Sequence, residues 1–108
     1  MKLAFDSFCN KLTDRLEEYK KAMGLTYFDE YRVVWTEGKK FWKVQSQQLK
    51  NGGTTGQSNL VAFIDKVTGD IFKPASWVAP AKGVRGNINS DQNGMEAITP
   101  EGNVIYLR

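Results

Sequence analysis

Residues 60–88 read LVAFIDKVTGDIFKPASWVAPAKGVRGNI, and this stretch decides how the chain folds. It begins with an apolar run that is typical of a well-covered central strand. A turn ending in glycine follows, and a short apolar segment then returns, so residues 60–73 are predicted to form a hairpin. Pro74 cannot donate to a strand ladder, and we therefore expect the Pro- and Gly-rich residues 74–94 to form an irregular loop.

The segments on either side add three further elements. Alternating residues around a turn at Gly38 predict a second hairpin at 31–48. Three glycines within KNGGTTGQS predict a flexible loop over 49–58, either mobile above a site or simply a connection. The sequence NVIYL predicts a last strand at 103–107.

Residues 3–23 are predicted to form an amphipathic helix. Their apolar side chains recur at steps of three or four and form one stripe, at Phe5, Phe8, Leu12, Leu16, Tyr19 and Met23. Gly24 follows as a suitable residue to end the helix. We therefore expect one domain, 1–108, of the α+β class, with the N-terminal amphipathic helix packed on a four- to five-stranded, mostly antiparallel sheet.

The composition disfavours several classes of function. The chain has no histidine and a single cysteine, Cys9, which excludes Ser-His-Asp and Cys-His catalysis, His-containing or all-cysteine zinc sites, and an internal disulfide. No apolar run suits a signal peptide or a membrane span, so a cytosolic protein without membrane partners is expected. An enzyme is disfavoured, and no catalytic residue, metal site or cofactor is predicted.

Charge is distributed unevenly along the chain. Residues 31–88 carry nine Lys/Arg and three Asp/Glu, a net charge of +6, whereas the flanking segments 1–30 and 89–108 are mildly acidic. A basic middle segment favours an anionic partner.

The first candidate site lies in the irregular loop. Its cations and the backbone N–H groups of residues 83–87 suit a phosphate, and Trp77 offers a flat surface for a base. The predicted residues for binding nucleic acid or another phosphate-bearing ligand are Lys73, Trp77, Lys82, Gly83, Arg85, Gly86 and Asn87. In the alternative interpretation Trp77 packs into the core and the cations are only solvated. The binding hypothesis predicts that Arg85→Ala weakens binding with a nearly unchanged thermal midpoint.

A secondary basic patch lies on the 31–48 hairpin, at Arg32, Lys39, Lys40 and Lys43. Basic residues interleaved with aromatic ones on a sheet suit single-stranded nucleic acid. Alternation places Trp42 on the face opposite Lys43, and exposed lysines also protect sheet edges from aggregation, so a purely structural role stays open.

Asp65 and Asp70 flank the turn of the 60–73 hairpin and form a third candidate, a carboxylate pair. Two adjacent carboxylates can bind a metal ion or transfer protons. Aspartates at such positions more often stabilise the turn itself.

Residues 65–88 also carry a resemblance, through the pattern D-K-x-T-G-D-[IV]-[FL]-K-P-A-S-W-x-A-P-A-K-x-x-R-G-N-I. This pattern, and the closing GNVIYLR, resemble a family of short proteins of tailed-phage and environmental viral genomes. The resemblance implies a small phage accessory protein acting in the host cytoplasm or in the virion. It brings no functional residues with it. The alternative to nucleic-acid binding is a protein-interaction module, either an inhibitor of a host enzyme or defence protein or a virion component.

Overall fold

The computed structural model describes residues 2–50 and 54–106. Within those ranges the chain forms a long helix, five strands and a short 3-10 helix: α1 Lys2–Met23, β1 Glu30–Glu37, β2 Phe41–Lys50, β3 Thr54–Asp65, β4 Asp70–Phe72, β5 Gly86–Asn87 and the 3-10 helix Met95–Ala97. The strands form one sheet in the order β1-β2-β3-β4-β5, and each is antiparallel to its neighbour. The predicted α+β class is therefore confirmed.

The sheet has an inner face, covered by α1, and an outer face on the opposite side. Trp42 and Val44 of β2 point inward, as their alternation predicted, and both are buried. The ring of Phe5 stacks on Trp42 at 4.1 Å between centroids, and Phe8 is fully buried beside it. Each such side chain contributes about 1.5–3 kcal/mol on burial, so this contact fixes the helix to the sheet.

The apolar stripe of α1 ends earlier than predicted. Leu16 is buried, but Met23 is exposed. Gly24 adopts φ 65° and donates its N–H to the carbonyl of Lys21, which ends the helix in the expected left-handed turn. The chain reverses there, and Leu25 rather than Met23 packs against the core.

The prediction of a flexible loop over 49–58 is wrong for the part that the structure describes. β2 continues to Lys50 and β3 begins at Thr54, with Lys50 opposite Thr54 and Gln47 opposite Ser58 in the register. Ladder hydrogen bonds join backbone groups, so weak side-chain propensities are overridden by a long partner strand. A Cβ at Gly56 would lie 3.2 Å from the carbonyl oxygen of Gln48, so this glycine permits close approach. Residues 51–53 of the predicted loop lie outside the described residues.

The strand predicted at 103–107 is also not formed as a strand. Val104 makes only an isolated bridge with Ile98, and residue 107 lies outside the described residues. The irregular segment 74–94 contains one element that was missed, β5, which pairs with β4 through Asp70 and Asn87. Both differences arise because short pairings are decided by distant partners and leave little trace in local sequence. No helix among the described residues is long and apolar enough to cross a bilayer.

Candidate nucleic-acid interface

The loop after β4 presents two apolar side chains to solvent. Pro74 pairs with Pro80 in an isolated bridge, and the N–H groups of Ala75 and Ser76 both donate to the carbonyl of Ala79. At the tip of this narrow loop Trp77 is 52% exposed and its neighbour Val78 is 85% exposed. Prolines without N–H groups suit the base of such a loop. The interpretation in which Trp77 packs into the core is therefore wrong.

Trp77 meets the outer face of the sheet through Lys43. The ammonium of Lys43 lies 5.6 Å from the centroid of the Trp77 ring, within the range of a cation–π contact. Lys43 points to the outer face together with Phe63, its register partner on β3. The structure thus joins a member of the predicted loop site to a member of the predicted basic patch, which the sequence treated separately.

A groove of about 340 Å³ runs beside this contact. Phe41 and Phe63 lie in its wall, edge to face at 5.7 Å, and Val78 closes it from the loop side. The ammonium of Lys40 lies 5.4 Å from the centroid of the Phe41 ring, and Lys39 lines the same groove, so both lysines form its rim. Phe63 is only 4% exposed and Phe41 is half-buried, so the flat surface open to a base beside these lysines is chiefly that of Trp77. An exposed ring next to positive charge suits unpaired bases and their phosphates.

One carboxylate, that of Glu37, also lines the groove. It forms an ion pair with Lys66 at 2.6 Å, and the ammonium of Lys66 also donates to the carbonyl of Gly38. The hydrogen bond and the charge of Lys66 lower the pKa of Glu37. Because Lys66 compensates the negative charge of Glu37, this carboxylate does not neutralise the positive charge of the lysines at the rim of the groove.

Two cations of the predicted loop site face the C-terminal segment instead. Lys73 donates to the carbonyl of Val104 at 3.0 Å and lies over the ring of Tyr106 at 4.1 Å. Arg85 donates to the carbonyl of Ile105 at 3.0 Å and to that of Lys82 at 3.2 Å. The convergence of Trp77 and Arg85 on one ligand is therefore not seen. Apart from Lys82, the carbonyls that accept these hydrogen bonds lie 20 or more residues further along the chain than Lys73 and Arg85. No local sequence pattern indicates such distant acceptors.

Two N–H groups of the predicted phosphate nest at residues 83–87 already have acceptors within the fold. The N–H of Arg85 donates to the carbonyl of Ile71 at 2.8 Å, and the N–H of Asn87 donates to the carboxylate of Glu96 at 3.3 Å. A Cβ at Gly86 would lie 2.8 Å from that of Ala97, so this glycine allows close packing. Gly83 does adopt a left-handed conformation, with φ 97°.

Asn87 holds the end of the sheet together. Its amide nitrogen donates to the carboxylate of Asp70 at 2.9 Å and to the carbonyl of Thr68 at 2.8 Å. The carboxylate of Asp65 accepts the N–H groups of Val67 and Thr68, and these bonds lower its pKa. Both aspartates thus stabilise the turn. Among the residues described, no three His, Cys, Asp or Glu side chains are grouped to hold a metal ion.

The remaining predicted cations, Arg32 and Lys82, are exposed. Arg32 is the register partner of Gln47, and Lys43 that of Thr36, so the outer face of β1 and β2 carries cations and polar side chains. Val78 and Phe63 were missed as site residues. Within LVAFID, Phe63 and the buried Ile64 are neighbours and must lie on opposite faces of the strand, and this alternation could have indicated Phe63 as an outer-face residue. No local pattern indicates Val78, which reaches the groove only because of how the loop folds.

Comparison with known proteins gives a family match over almost the full length of the chain. A family model described as a family of unknown function, DUF7717, matches residues 2–107. The chain belongs to the DUF7717 family. No curated protein and no solved structure matches this DUF7717 chain.

Proposed function

We propose that the protein binds single-stranded nucleic acid on the outer face of its sheet. One base stacks on the exposed side of Trp77, and the phosphates on either side approach Lys43 and the lysines of the β1–β2 turn, Lys39 and Lys40. The observation that carries the proposal is the contact between Lys43 and the half-exposed Trp77 at the edge of an aromatic-lined groove. Aromatic rings beside mobile cations bind unpaired strands with little sequence preference.

The charge distribution supports this placement. The cations on and around the outer face are exposed or half-exposed, and the groove's single carboxylate is paired with Lys66. Duplex DNA would present its bases stacked and unavailable to Trp77, so it should bind more weakly than an unpaired strand. The same chemistry does not require a defined base sequence.

Fluorescence anisotropy with a labelled oligothymidylate, measured at two salt concentrations, tests the proposal. Removing a stacking aromatic costs about 1–3 kcal/mol, so Trp77→Ala should weaken binding about 5- to 150-fold, and Trp77→Phe should retain part of it. Lys43→Ala should reduce the salt dependence by about 0.7 in the log–log slope. Lys11→Ala on α1 is the matched control, since it removes the same charge from an exposed position on another surface. No binding at low salt, or equal losses in Lys43→Ala and Lys11→Ala, would refute the proposal.

A second function is favoured by Val78, which no nucleic-acid contact explains. An adjacent Trp and Val on a protruding tip form an apolar anchor of the kind found at the centre of protein interfaces. We propose as the alternative a protein-interaction module, whose partner is a host enzyme, a defence protein or a virion component. A pull-down from host lysate that is lost in Val78→Asp but kept in Lys43→Ala would support it. Capture that survives Val78→Asp would count against it.

The setting proposed for either function is a tailed phage and its bacterial host. It rests on the resemblance of residues 65–88 and on nothing in the geometry. Detection of the protein in purified virions would favour a virion component, whereas its presence in infected cells together with its absence from purified virions would favour an accessory role in the host cytoplasm.

A further inference from the structure

A polar cleft of about 270 Å³ lies on the other side of the sheet. It is enclosed by the C-terminal half of α1, the inner face of β1 to β3, and the segment after the 3-10 helix. The side chains that matter for its chemistry are Tyr27, Tyr31, Ser46, Gln48, Asn59 and Asn103. We call these six residues and the space between them the polar cleft.

The cleft exists because the inner face of β2 changes from apolar to polar along its length. Trp42 and Val44 point into the core, but Ser46 and Gln48, at the next two inward positions, are polar. Ser46 is only 4% exposed and Gln48 only 7%. Burying hydroxyl and amide groups is costly unless they find partners, so two such residues in succession within a sheet need an explanation.

Cross-strand neighbours extend this polar surface. Asn59 is the register partner of Ser46, and Tyr31 is that of Gln48, so all four side chains share the inner face. The amide nitrogen of Gln48 lies 3.4 Å from the hydroxyl of Tyr27, a long contact for a hydrogen bond. Burial raises the pKa of Tyr31, and a hydrogen bond with Gln48 acts in the opposite direction. The amide of Gln48 therefore lies within reach of the Tyr27 hydroxyl and beside Tyr31, its cross-strand neighbour in the cleft.

The lining also limits the charge of any occupant. Among the described residues that line the cleft there is no Lys or Arg, and the one carboxylate, Glu101, is exposed at the rim. A phosphate or carboxylate would find no cation there. Hydroxyl and amide groups, which both donate and accept, match a neutral ligand rich in hydroxyl groups.

We propose that the polar cleft binds an uncharged sugar ring. Tyrosine rings offer flat surfaces to the C–H face of a pyranose, while Ser46, Gln48, Asn59 and Asn103 supply convergent donors and acceptors for its hydroxyls. Pockets that combine apolar walls with a few placed polar groups are the common form of small-molecule sites. The volume is sufficient for one such ring rather than for a long oligosaccharide.

The C-terminal segment supplies one wall and connects the cleft to the rest of the fold. Gly102 packs so closely on α1 that a Cβ there would contact the side chain of Leu16. The following residues are held by Lys73 and Arg85 through the carbonyls of Val104 and Ile105. Asn103 is thereby fixed at the rim. The cleft and the nucleic-acid interface lie on opposite faces of the sheet and can be tested separately.

Titration of the full ¹⁵N-labelled chain with D-glucose and N-acetyl-D-glucosamine, followed by two-dimensional NMR, tests the inference. We expect saturable shifts of the side-chain amide signals of Gln48, Asn59 and Asn103. D-glucose 6-phosphate should bind no more tightly than glucose, because no cation lines the cleft. Asn59→Ala and Asn103→Ala, both at exposed positions, should each lower the affinity about fivefold, the equivalent of one hydrogen bond.

Gln45→Ala is the matched control, since Gln45 lies on β2 but has Leu60 of the outer face as its partner. It should leave the sugar affinity unchanged. Absence of saturable shifts would show a cleft filled with water only and would overturn the inference. Shifts confined to the outer face, or tighter binding of the phosphorylated sugar, would overturn it equally. The result is independent of the oligonucleotide titration, so either proposal can fail alone.

Discussion

Replacing Arg85 by alanine separates a structural role from a ligand-binding one. Its guanidinium donates to the carbonyls of Ile105 and Lys82, and thereby connects the irregular loop to the C-terminal segment. Both acceptors are backbone atoms that remain in place when the side chain is removed. The carbonyl of Ile105 would then have to find water in a partly buried position.

The expected loss follows from these two bonds. A hydrogen bond to a charged donor contributes about 1.5–3 kcal/mol, and the bond to Lys82 counts for less because it is exposed. The Nε atom of Arg85 is buried and finds no partner among the residues described, so its removal offsets part of the loss. We expect Arg85→Ala to lower the free energy of unfolding by about 2 kcal/mol. For a domain of this size that corresponds to a fall in the thermal midpoint of roughly 8–16 °C.

Thermal unfolding followed by circular dichroism, beside the oligonucleotide titration, measures both roles. Lys82→Ala is the matched control, because it removes one positive charge from an exposed position in the same loop and should change stability by no more than about 0.5 kcal/mol. Arg85→Ala should leave oligonucleotide affinity close to that of Lys82→Ala. An unchanged midpoint together with lost affinity would refute this reasoning and would restore Arg85 to the binding site that the sequence suggested.

Three further predictions concern the interior. Gly94→Ala should lower the free energy of unfolding by about 2–4 kcal/mol in urea titrations, because Gly94 has φ 84° and a Cβ would lie 2.6 Å from Ile71 Cδ1; an unchanged midpoint would contradict the geometry. Burial raises the pKa of the Cys9 thiol to about 12, so a thiol reagent at neutral pH should modify the folded chain far more slowly than the chain in urea. The pKa of Asp65 is lowered by N–H donors in its turn, so its stabilisation is present above its unfolded pKa, near pH 4, and is lost as the pH falls through the folded value. Asp65→Asn should flatten the acid limb of the stability profile, and a limb as steep as that of the unmodified protein would argue against this role.

The candidate interface could be predicted only in part. The +6 charge of the middle segment and the residue types of Trp77 and Lys43 are visible in the sequence, and the structure places these two side chains together. A cation between glycines suits a phosphate and a backbone carbonyl equally well, and in the structure the guanidinium of Arg85 meets the carbonyl of Ile105. Which of the two it meets depends on where the C-terminal segment lies.

The polar cleft shows the same limit. The alternation of Trp42, Val44, Ser46 and Gln48 falls within the predicted hairpin 31–48, but the glycines that follow predicted a loop over 49–58, so the pairing of Asn59 with Ser46 was not expected. The long ladder between β2 and β3 overrode that local signal.

By itself, the sequence determined the class of fold. The spacing of Phe5, Phe8, Leu12 and Leu16 specifies a helix with one apolar face, and the alternating segments with their turns specify antiparallel hairpins, because each pattern depends on the local repeat of the backbone. The tertiary structure alone decided which cations are free to meet a ligand. Lys73 and Arg85 are held by carbonyls far along the chain, while Lys43 remains at the surface beside Trp77. Which cations are free depends on long-range packing. Residues 60–88 therefore contain a structural hairpin at 60–73, an exposed loop tip at Trp77, and a segment around Arg85 that is bound to the C-terminal segment.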